Sequence, residues 1–309
     1  MRVLIADDHE DSARSLAVLV SAWGFDPVTV HNGAAALAFL REPGGPALAL
    51  LDWVMPGING IDVCREIRKD PGRPPYTYIV MVTGQASKQQ MLDGLKAGAD
   101  DYLVKPVDPN ELCARLRTAK RILELQEELL ASQRRLHEQA TRDSLTGLWN
   151  RGMILETLQR EIIRSRREGH SVAVIMTDLD HFKQINDTYG HLAGDAVLRN
   201  TAQRLLAVLR PYDLVGRYGG EEFLVILPGC GPRTVSALAE RLRQRIAAEP
   251  ITNDDREIHV TLSLGVAVGD GELPAEDLIR AADTALYEAK RTGRNRVVKA
   301  DSAVAGHIH

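Results

Sequence analysis

The sequence predicts an α/β protein in three parts: a doubly wound parallel sheet at the N-terminus, one long helix, and a C-terminal α+β domain around a mainly antiparallel sheet. Three observations carry this. Residues 1–120 alternate short apolar runs with amphipathic stretches, the pattern of βα units. Residues 110–140 contain neither Gly nor Pro and are rich in Leu, Glu, Gln and Arg, as one continuous helix would be. Beyond Thr141, two strand-like runs flank Gly219-Gly220, the mark of a β-hairpin.

The elements follow in order. Val3–Ala6, Ala47–Leu51, Tyr78–Val82 and Asp101–Val104 read as strands. Ser12–Ala22, Gly33–Leu40, Ile61–Arg68 and Lys88–Ala97 read as the helices between them. In such a sheet, function gathers at the carboxyl ends of the strands. Along the long helix, Ile122, Leu125, Leu129, Ser132 and Leu136 recur at a/d spacing, and Leu116, Ala119, Leu123, Gln126 and Leu130 form a weaker second stripe. Two offset stripes predict a dimeric coiled coil with more than one packing register. A single linker helix packed on its own domain is the alternative. In the last part, Val172–Thr177, Asp213–Tyr218, Glu222–Leu227, His259–Val268 and Asn295–Lys299 read as strands. Ala193–Leu209, Ala237–Ala247 and Ala275–Lys290 read as helices.

Composition narrows the function classes. The chain has 309 residues, 44% hydrophobic and 26% charged, which suits about two globular domains rather than a disordered chain. The formal net charge is -4, with 38 basic and 42 acidic residues interspersed, so nothing predicts nucleic-acid binding. Cys64, Cys113 and Cys230 are odd in number and far apart, offering neither a disulfide framework nor zinc-ligand spacing. No run of about 18 apolar residues occurs and no signal-peptide pattern opens the chain, so the expectation is a cytoplasmic protein without a membrane partner.

Two constellations carry chemistry. In the first, Asp7 and Asp8 follow the first strand, Asp52 closes the run before Trp53-Val54-Met55-Pro56-Gly57, Thr83 ends another strand, and Lys105 precedes Pro106. A parallel sheet brings all of these to one edge. Three close carboxylates repel unless a hard cation such as Mg²⁺ sits among them. With that help a carboxylate is a competent phosphoryl acceptor, Lys105 supplying a point charge and Thr83 a hydroxyl.

These residues resemble the receiver domain of two-component response regulators, over residues 1–120. The resemblance implies a five-stranded flavodoxin-like sheet and Mg²⁺ held by Asp7, Asp8 and Asp52. It also implies phosphorylation of Asp52 by a cognate histidine kinase, and a switch through Thr83, Tyr102 and Lys105. Gly84 stands where Ala is common in that family.

The second constellation centres on Arg217-Tyr218-Gly219-Gly220-Glu221-Glu222-Phe223. Adjacent acids at a turn repel and are rewarded only by a cation. Asp178 ends the apolar run Val172–Thr177, so a strand end and a hairpin tip could share divalent metal with nucleotide phosphates. A calcium loop from Asp178 is excluded by Lys183 at its sixth and Tyr189 at its twelfth position, and no GxxxxGK[ST] occurs. Lys290, Arg291, Arg294 and Arg296 cluster around Gly293 at a helix end, where a basic cluster also serves simply to complement the macrodipole.

Residues 141–302 resemble the GGDEF family of diguanylate cyclases in a GGEEF form. The match runs through Asp143-Ser144-Leu145-Thr146-Gly147-Leu148-Trp149-Asn150-Arg151, the DxDxFKxxND run at 178–187, GHxxGD at 190–195 and GGEEF at 219–223. The resemblance implies two Mg²⁺ (Mn²⁺ as an alternative) held by Asp178, Glu221 and the Leu179 carbonyl, with Glu221 and Glu222 catalytic. It implies guanine recognition by Asn186 and Asp195, and triphosphate binding by Phe182, Lys183, Lys290 and Arg294. The expected reaction joins two GTP into cyclic di-GMP and two pyrophosphates, within a homodimer formed through the receiver and the linker helix. Arg210, Asp213 and Arg241 fall where that family places a product-binding inhibitory site, so cyclic di-GMP is expected as product and inhibitor. A non-catalytic module sensing GTP or cyclic di-GMP is the alternative. The expected boundaries are 1–120 for the receiver, 110–140 for the linker, 141–302 for the GGDEF domain and 303–309 for a disordered tail.

Overall fold

The computed structural model describes residues 1–69, 76–84, 88–253 and 256–300, with backbone alone at 88–91. The tail expected at 303–309 lies outside the described residues. The chain divides into two compact units, Met1–Gln133 and the remainder from Arg134, and each is taken by itself.

In the N-terminal unit, strands β1 (Arg2–Ala6), β2 (Asp26–Val30), β3 (Leu48–Asp52), β4 (Tyr78–Thr83) and β5 (Asp101–Val104) alternate with helices α1 (Glu10–Ala22), α2 (Gly33–Arg41), α3 (Gly60–Arg68) and α4 (Lys88–Lys96). The sheet order is β2-β1-β3-β4-β5 and every pairing is parallel, as the sequence predicted. The central strands are apolar without interruption because helices cover both faces: all residues of β3 and β4 are buried. One face packs Val3, Ile5, Leu50 and Val80; the other packs Leu4, Leu51, Ile79 and Met81. Strand β2, which the residue pattern did not mark, lies on the edge, half-exposed and carrying Pro27.

Helix α5 runs unbroken from Pro109 to Thr141. Its first half corrects the coiled-coil expectation. Leu112, Leu116, Ala119 and Leu123 are buried in the N-terminal unit's own core, so most of the weaker stripe already has its cover within the chain. The stripe of Leu125, Leu129 and Leu136 is 55%, 59% and 62% exposed, and that part of the helix retains an apolar face. Among the described residues, no helix is long and apolar enough to cross a membrane.

The C-terminal unit adds α6 (Arg151–Glu168), β6 (Val172–Leu179), α7 (Phe182–Tyr189), α8 (His191–Val208), β7 (Leu214–Gly219), β8 (Glu222–Pro228), α9 (Pro232–Ala247), β9 (Ile251–Asn253), β10 (Arg256–Ile258), β11 (Leu262–Gly269), α10 (Ala275–Arg291) and β12 (Val297–Lys299). Its main sheet has the order β12-β11-β6-β8-β7, antiparallel except for β11 with β12. Central strand β6 is buried over all eight residues. Val172, Val174 and Met176 face α6 and α10, and Ala173, Ile175 and Leu179 face α8 and α9. Helix α10 seats directly on β11 at Gly265, where an added Cβ would meet the Ala282 carbonyl at 2.0 Å. That close approach brings the C-terminal end of α10 over the end of β6 that begins the site.

The Asp143–Arg151 segment is a tight connector between α5 and α6. Asp143 Oδ1 accepts from the Thr146 amide at 2.9 Å and its hydroxyl at 2.7 Å. The Asn150 side chain caps α6 at Met153 N and donates to the Ala140 carbonyl at 2.7 Å. The three cysteines are free, and burial pushes the Cys64 thiol up to about 11, as for an inert core residue.

Candidate active site and phosphoacceptor pocket

In the N-terminal unit the strand ends converge as predicted. Asp7, Asp8 and Asp52 bring one carboxylate oxygen each within 4.8 Å of one another, the only such group among the described residues. Lys105 donates to Asp7 Oδ2 and to Asp52 Oδ2, both at 2.7 Å. Burial raises the Asp52 carboxyl above its ordinary range against the pull of Lys105, with Asp7 adding to the rise. Burial would lower the Lys105 ammonium, but its two carboxylate partners outweigh that and raise it. Thr83 is buried at the end of β4, and with Trp53, Met81 and Tyr102 it lines a small cavity. Arg115 lies over the Tyr102 ring at 5.6 Å. A cluster of three carboxylates is a hard-oxygen donor set of the kind that suits Mg²⁺.

In the C-terminal unit, Asp178 and Glu222 are direct partners in the β6–β8 ladder and so share a face. Strands β7 and β8 turn through Gly220, in left-handed backbone at φ 36°, and Glu221. Glu221 is tied to the end of β6 because its carbonyl accepts from Leu179 N at 3.3 Å. Lys290, one residue before the end of α10, places its ammonium 2.7 Å from Asp178 Oδ2. Burial raises the Asp178 carboxyl, opposed by Lys290 and helped by Glu221 and Asp180. Burial raises Glu222 as well, with Asp178, Asp283 and Glu221 adding to it and Lys290 opposing. These acids do not gather three oxygens within the separation seen at Asp7, Asp8 and Asp52. They nevertheless form an oxygen-rich set, held at unfavourable charge, that a divalent cation would relieve.

The hairpin is braced from the connector. Arg217 donates from Nε to the Gly220 carbonyl at 2.9 Å and from Nη1 to Asp143 at 3.2 Å. Burial would raise Asp143, but Thr146 and Arg217 hold it below its usual range.

The other predicted residues sort into two groups. Phe182 and Lys183 open α7, where backbone N–H groups lack intrahelical acceptors and suit an anion, while the Phe182 ring itself is core. Asn186 lies against α8: an added Cβ at Gly194 would meet its Oδ1 at 1.9 Å, which sets its amide beside the residue preceding Asp195. Arg294 follows α10 in left-handed backbone at φ 59°. Separately, Arg210, Asp213 and Arg241 line one cavity of about 230 Å³ together with Tyr212 and Cys230. There Arg210 N donates to Asp213 Oδ2 at 2.9 Å and Arg210 Nη1 to the Tyr212 hydroxyl at 2.8 Å.

The family model for the diguanylate cyclase GGDEF domain matches residues 140–296. The chain belongs to the GGDEF diguanylate cyclase family. The response regulator receiver domain model matches residues 3–117. The response regulator PleD of Caulobacter vibrioides is 34% identical over 301 residues, 96% of this chain and 65% of PleD. Diguanylate cyclase DosC of Escherichia coli is 40% identical over 170 residues, 53% of this chain and 37% of DosC. Among solved structures, the coiled coil and GGDEF domain of DgcB from Caulobacter crescentus, in complex with c-di-GMP, aligns at a TM-score of 0.55 and 32% identity, over 61% of this chain and 99% of that one. The chain spans at most 65% of the length of these curated relatives.

Sequence reasoning missed two residues of this GGDEF site. Asp283 on α10 contributes to the charge at Glu222. Asp180, two residues past Asp178, is buried and accepts three hydrogen bonds. Its spacing from Asp178 was the available signal.

Proposed function

We propose that this chain condenses two GTP molecules into cyclic di-GMP, releasing two pyrophosphates, and that phosphorylation of Asp52 governs the rate. The observation that carries the reading is the pairing of Asp178 with Glu222 across β6–β8, with Glu221 on the glycine turn and Lys290 reaching the same carboxylate. Asp178, Glu221 and the Leu179 carbonyl would hold Mg²⁺ or Mn²⁺. Bound there, such an ion would supply Lewis-acid chemistry, lowering the pKa of a ribose 3′-hydroxyl and stabilising the leaving pyrophosphate. The raised carboxyl of Glu222 suits it to take the proton from that hydroxyl. Lys290 exchanges Asp178 for the β- and γ-phosphates, joined by Arg294 and the first amides of α7. Asn186 and Asp195 accept from the guanine edge, an arrangement adenine cannot satisfy.

One domain holds one GTP, so two copies must face each other, and a symmetric homodimer provides this. The exposed Leu125, Leu129 and Leu136 stripe supports pairing along α5, and phosphorylation by a histidine kinase would change how the two copies pack. The cavity of Arg210, Asp213 and Arg241 supports inhibition by product, because an arginine fork fits guanine O6 and N7. Incubation with GTP and Mg²⁺, with and without a small-molecule phosphodonor, followed by mass analysis of products, tests the reading. Cyclic di-GMP whose yield rises with the phosphodonor is the expected result. Nucleotide binding without any cyclic product would replace the enzyme by a sensor.

A further inference from the structure

Asp180 is 4% exposed, yet no cation faces it in an ion pair among the described residues. Instead it collects donors. Oδ1 accepts from Ser263 Oγ at 2.6 Å, and Oδ2 accepts from Thr261 Oγ1 at 2.7 Å and from the backbone N of Asn295 at 3.0 Å. Its own N–H donates to the Thr261 carbonyl at 3.0 Å. A buried carboxylate is costly to keep, and these charge-assisted bonds are what make it tolerable. A neutral side chain would join β6 to β11 more cheaply. What the charge adds is a strong hold on Asn295.

Asn295 needs that hold. It and Arg294 are consecutive non-glycine residues in the left-handed region, at φ 46° and 59°. Left-handed backbone is costly for a side chain such as Arg294 and less so for an Asn, and two such residues in a row persist only where the surroundings over-determine them. Two ties do so. Asp180 takes the Asn295 amide, and Arg243 of α9 donates from Nη1 to Asn295 Oδ1 at 2.7 Å while Glu240 braces the same guanidinium. The turn so held follows directly on the end of α10, whose Lys290 lies on Asp178. Asp178 and Asp180 therefore tie one strand end to both halves of the basic cluster, the first by an ion pair and the second through the backbone.

We propose that Asp180 is a positioning residue for the triphosphate: it fixes the turn that carries Arg294 and so sets the grip on the phosphates without touching the nucleotide. This rests on the reading of Lys290 and Arg294 as phosphate ligands. Asp180→Asn is the informative change. The amide keeps shape and can still accept from Ser263, but it turns an N–H toward the Asn295 amide and breaks that bond, while the Thr261 hydroxyl, which shared the same oxygen, can rotate to accept instead.

The experiment uses the full chain with Mg²⁺ and follows binding of α,β-methylene-GTP and of GMP by calorimetry. Asp180→Asn should weaken the triphosphate about tenfold, the scale of one lost charge-assisted hydrogen bond, and leave GMP within about twofold. Arg294→Ala should show the same selectivity, and adding Asp180→Asn to it should cost nothing more. Equal losses for both nucleotides, or additive losses in the double variant, would overturn the proposal. Should Asp180→Asn not fold, Arg243→Met, which loosens the same turn from the α9 side, decides by the same pair of measurements. Wild-type protein that binds neither nucleotide would instead sink the cyclase reading, and an Arg294→Ala variant with undiminished triphosphate binding would sink only the assignment of the phosphate ligands.

Discussion

The two acidic sites use the same materials, carboxylates and one lysine, but are finished to different degrees. In the receiver unit, Asp7, Asp8 and Asp52 converge and Lys105 bridges two of them. All stand at carboxyl ends of strands in one parallel sheet, so the sheet sets their spacing. In the GGDEF unit, Asp178 ends a sheet strand, Glu221 sits on a hairpin turn, and Lys290 arrives from a helix end. With these differently anchored supports, the acids do not bring three oxygens as close together as Asp7, Asp8 and Asp52 do. A site built on one rigid element is expected to take metal by itself, and one built across several to take it together with a nucleotide.

The largest effect expected on this contrast is catalytic. Glu221→Ala should lower cyclic di-GMP formation by about 10³-fold, the scale of losing one group that stabilises developing charge, whereas Asp52→Ala should keep basal turnover and lose only the response to phosphodonor. A Glu221→Ala protein within tenfold of wild type would erase the distinction. Helix α5 repeats the contrast within one element: Leu116 is buried in its own unit and Leu129 is exposed. Leu116→Ala should cost about 2–5 kcal/mol in denaturant unfolding, and Leu129→Ala should cost little in dilute protein while weakening self-association. Equal costs would mean that the two halves of the helix are covered alike. Metal uptake without nucleotide sharpens the point further. Calorimetry should find one Mg²⁺ bound, weakened about tenfold or more by Asp52→Asn and indifferent to Glu221→Ala, with further metal entering only alongside α,β-methylene-GTP. Metal bound at Asp178 with no nucleotide present would contradict the ranking of the two sites.

The smallest effect concerns the brace behind the hairpin. Asp143 has its pKa lowered on folding, so its contribution is complete above its unfolded value of about 4 and is lost as pH falls through the folded value. Asp143→Asn should therefore destabilise by about 1 kcal/mol at pH 7, and the gap to wild type should close as pH falls below the folded value. A gap that stayed constant with pH would assign the loss to packing rather than to charge.

Much of this was legible in the sequence, for identifiable reasons. Buried central strands such as β3, β4 and β6 announce themselves as apolar runs, and the acids at the ends of β3 and β6 are conspicuous. Edge strand β2 is short, half-polar and contains Pro27, so the pattern hid it. Helix α6 buries only Ile154, Leu158 and Ser165 among its many charges, too thin a stripe to stand out. The stripe at Leu116, Ala119 and Leu123 was visible, but periodicity reports that a face is apolar and never what covers it. Asp180 illustrates a further limit. Its chain position is plain, yet its importance comes from Asn295, more than a hundred residues away, which only the folded chain brings to it.

Gly194 carries a consequence of its own. Its missing methyl is what allows the Asn186 amide to pack against α8 at the residue that precedes Asp195. Alanine at this one position would evict the amide, one of the two proposed readers of the base, while leaving every acid in place. Under the proposed function, purine preference would then drift before turnover failed, and base selection would depend on a side chain that is not there.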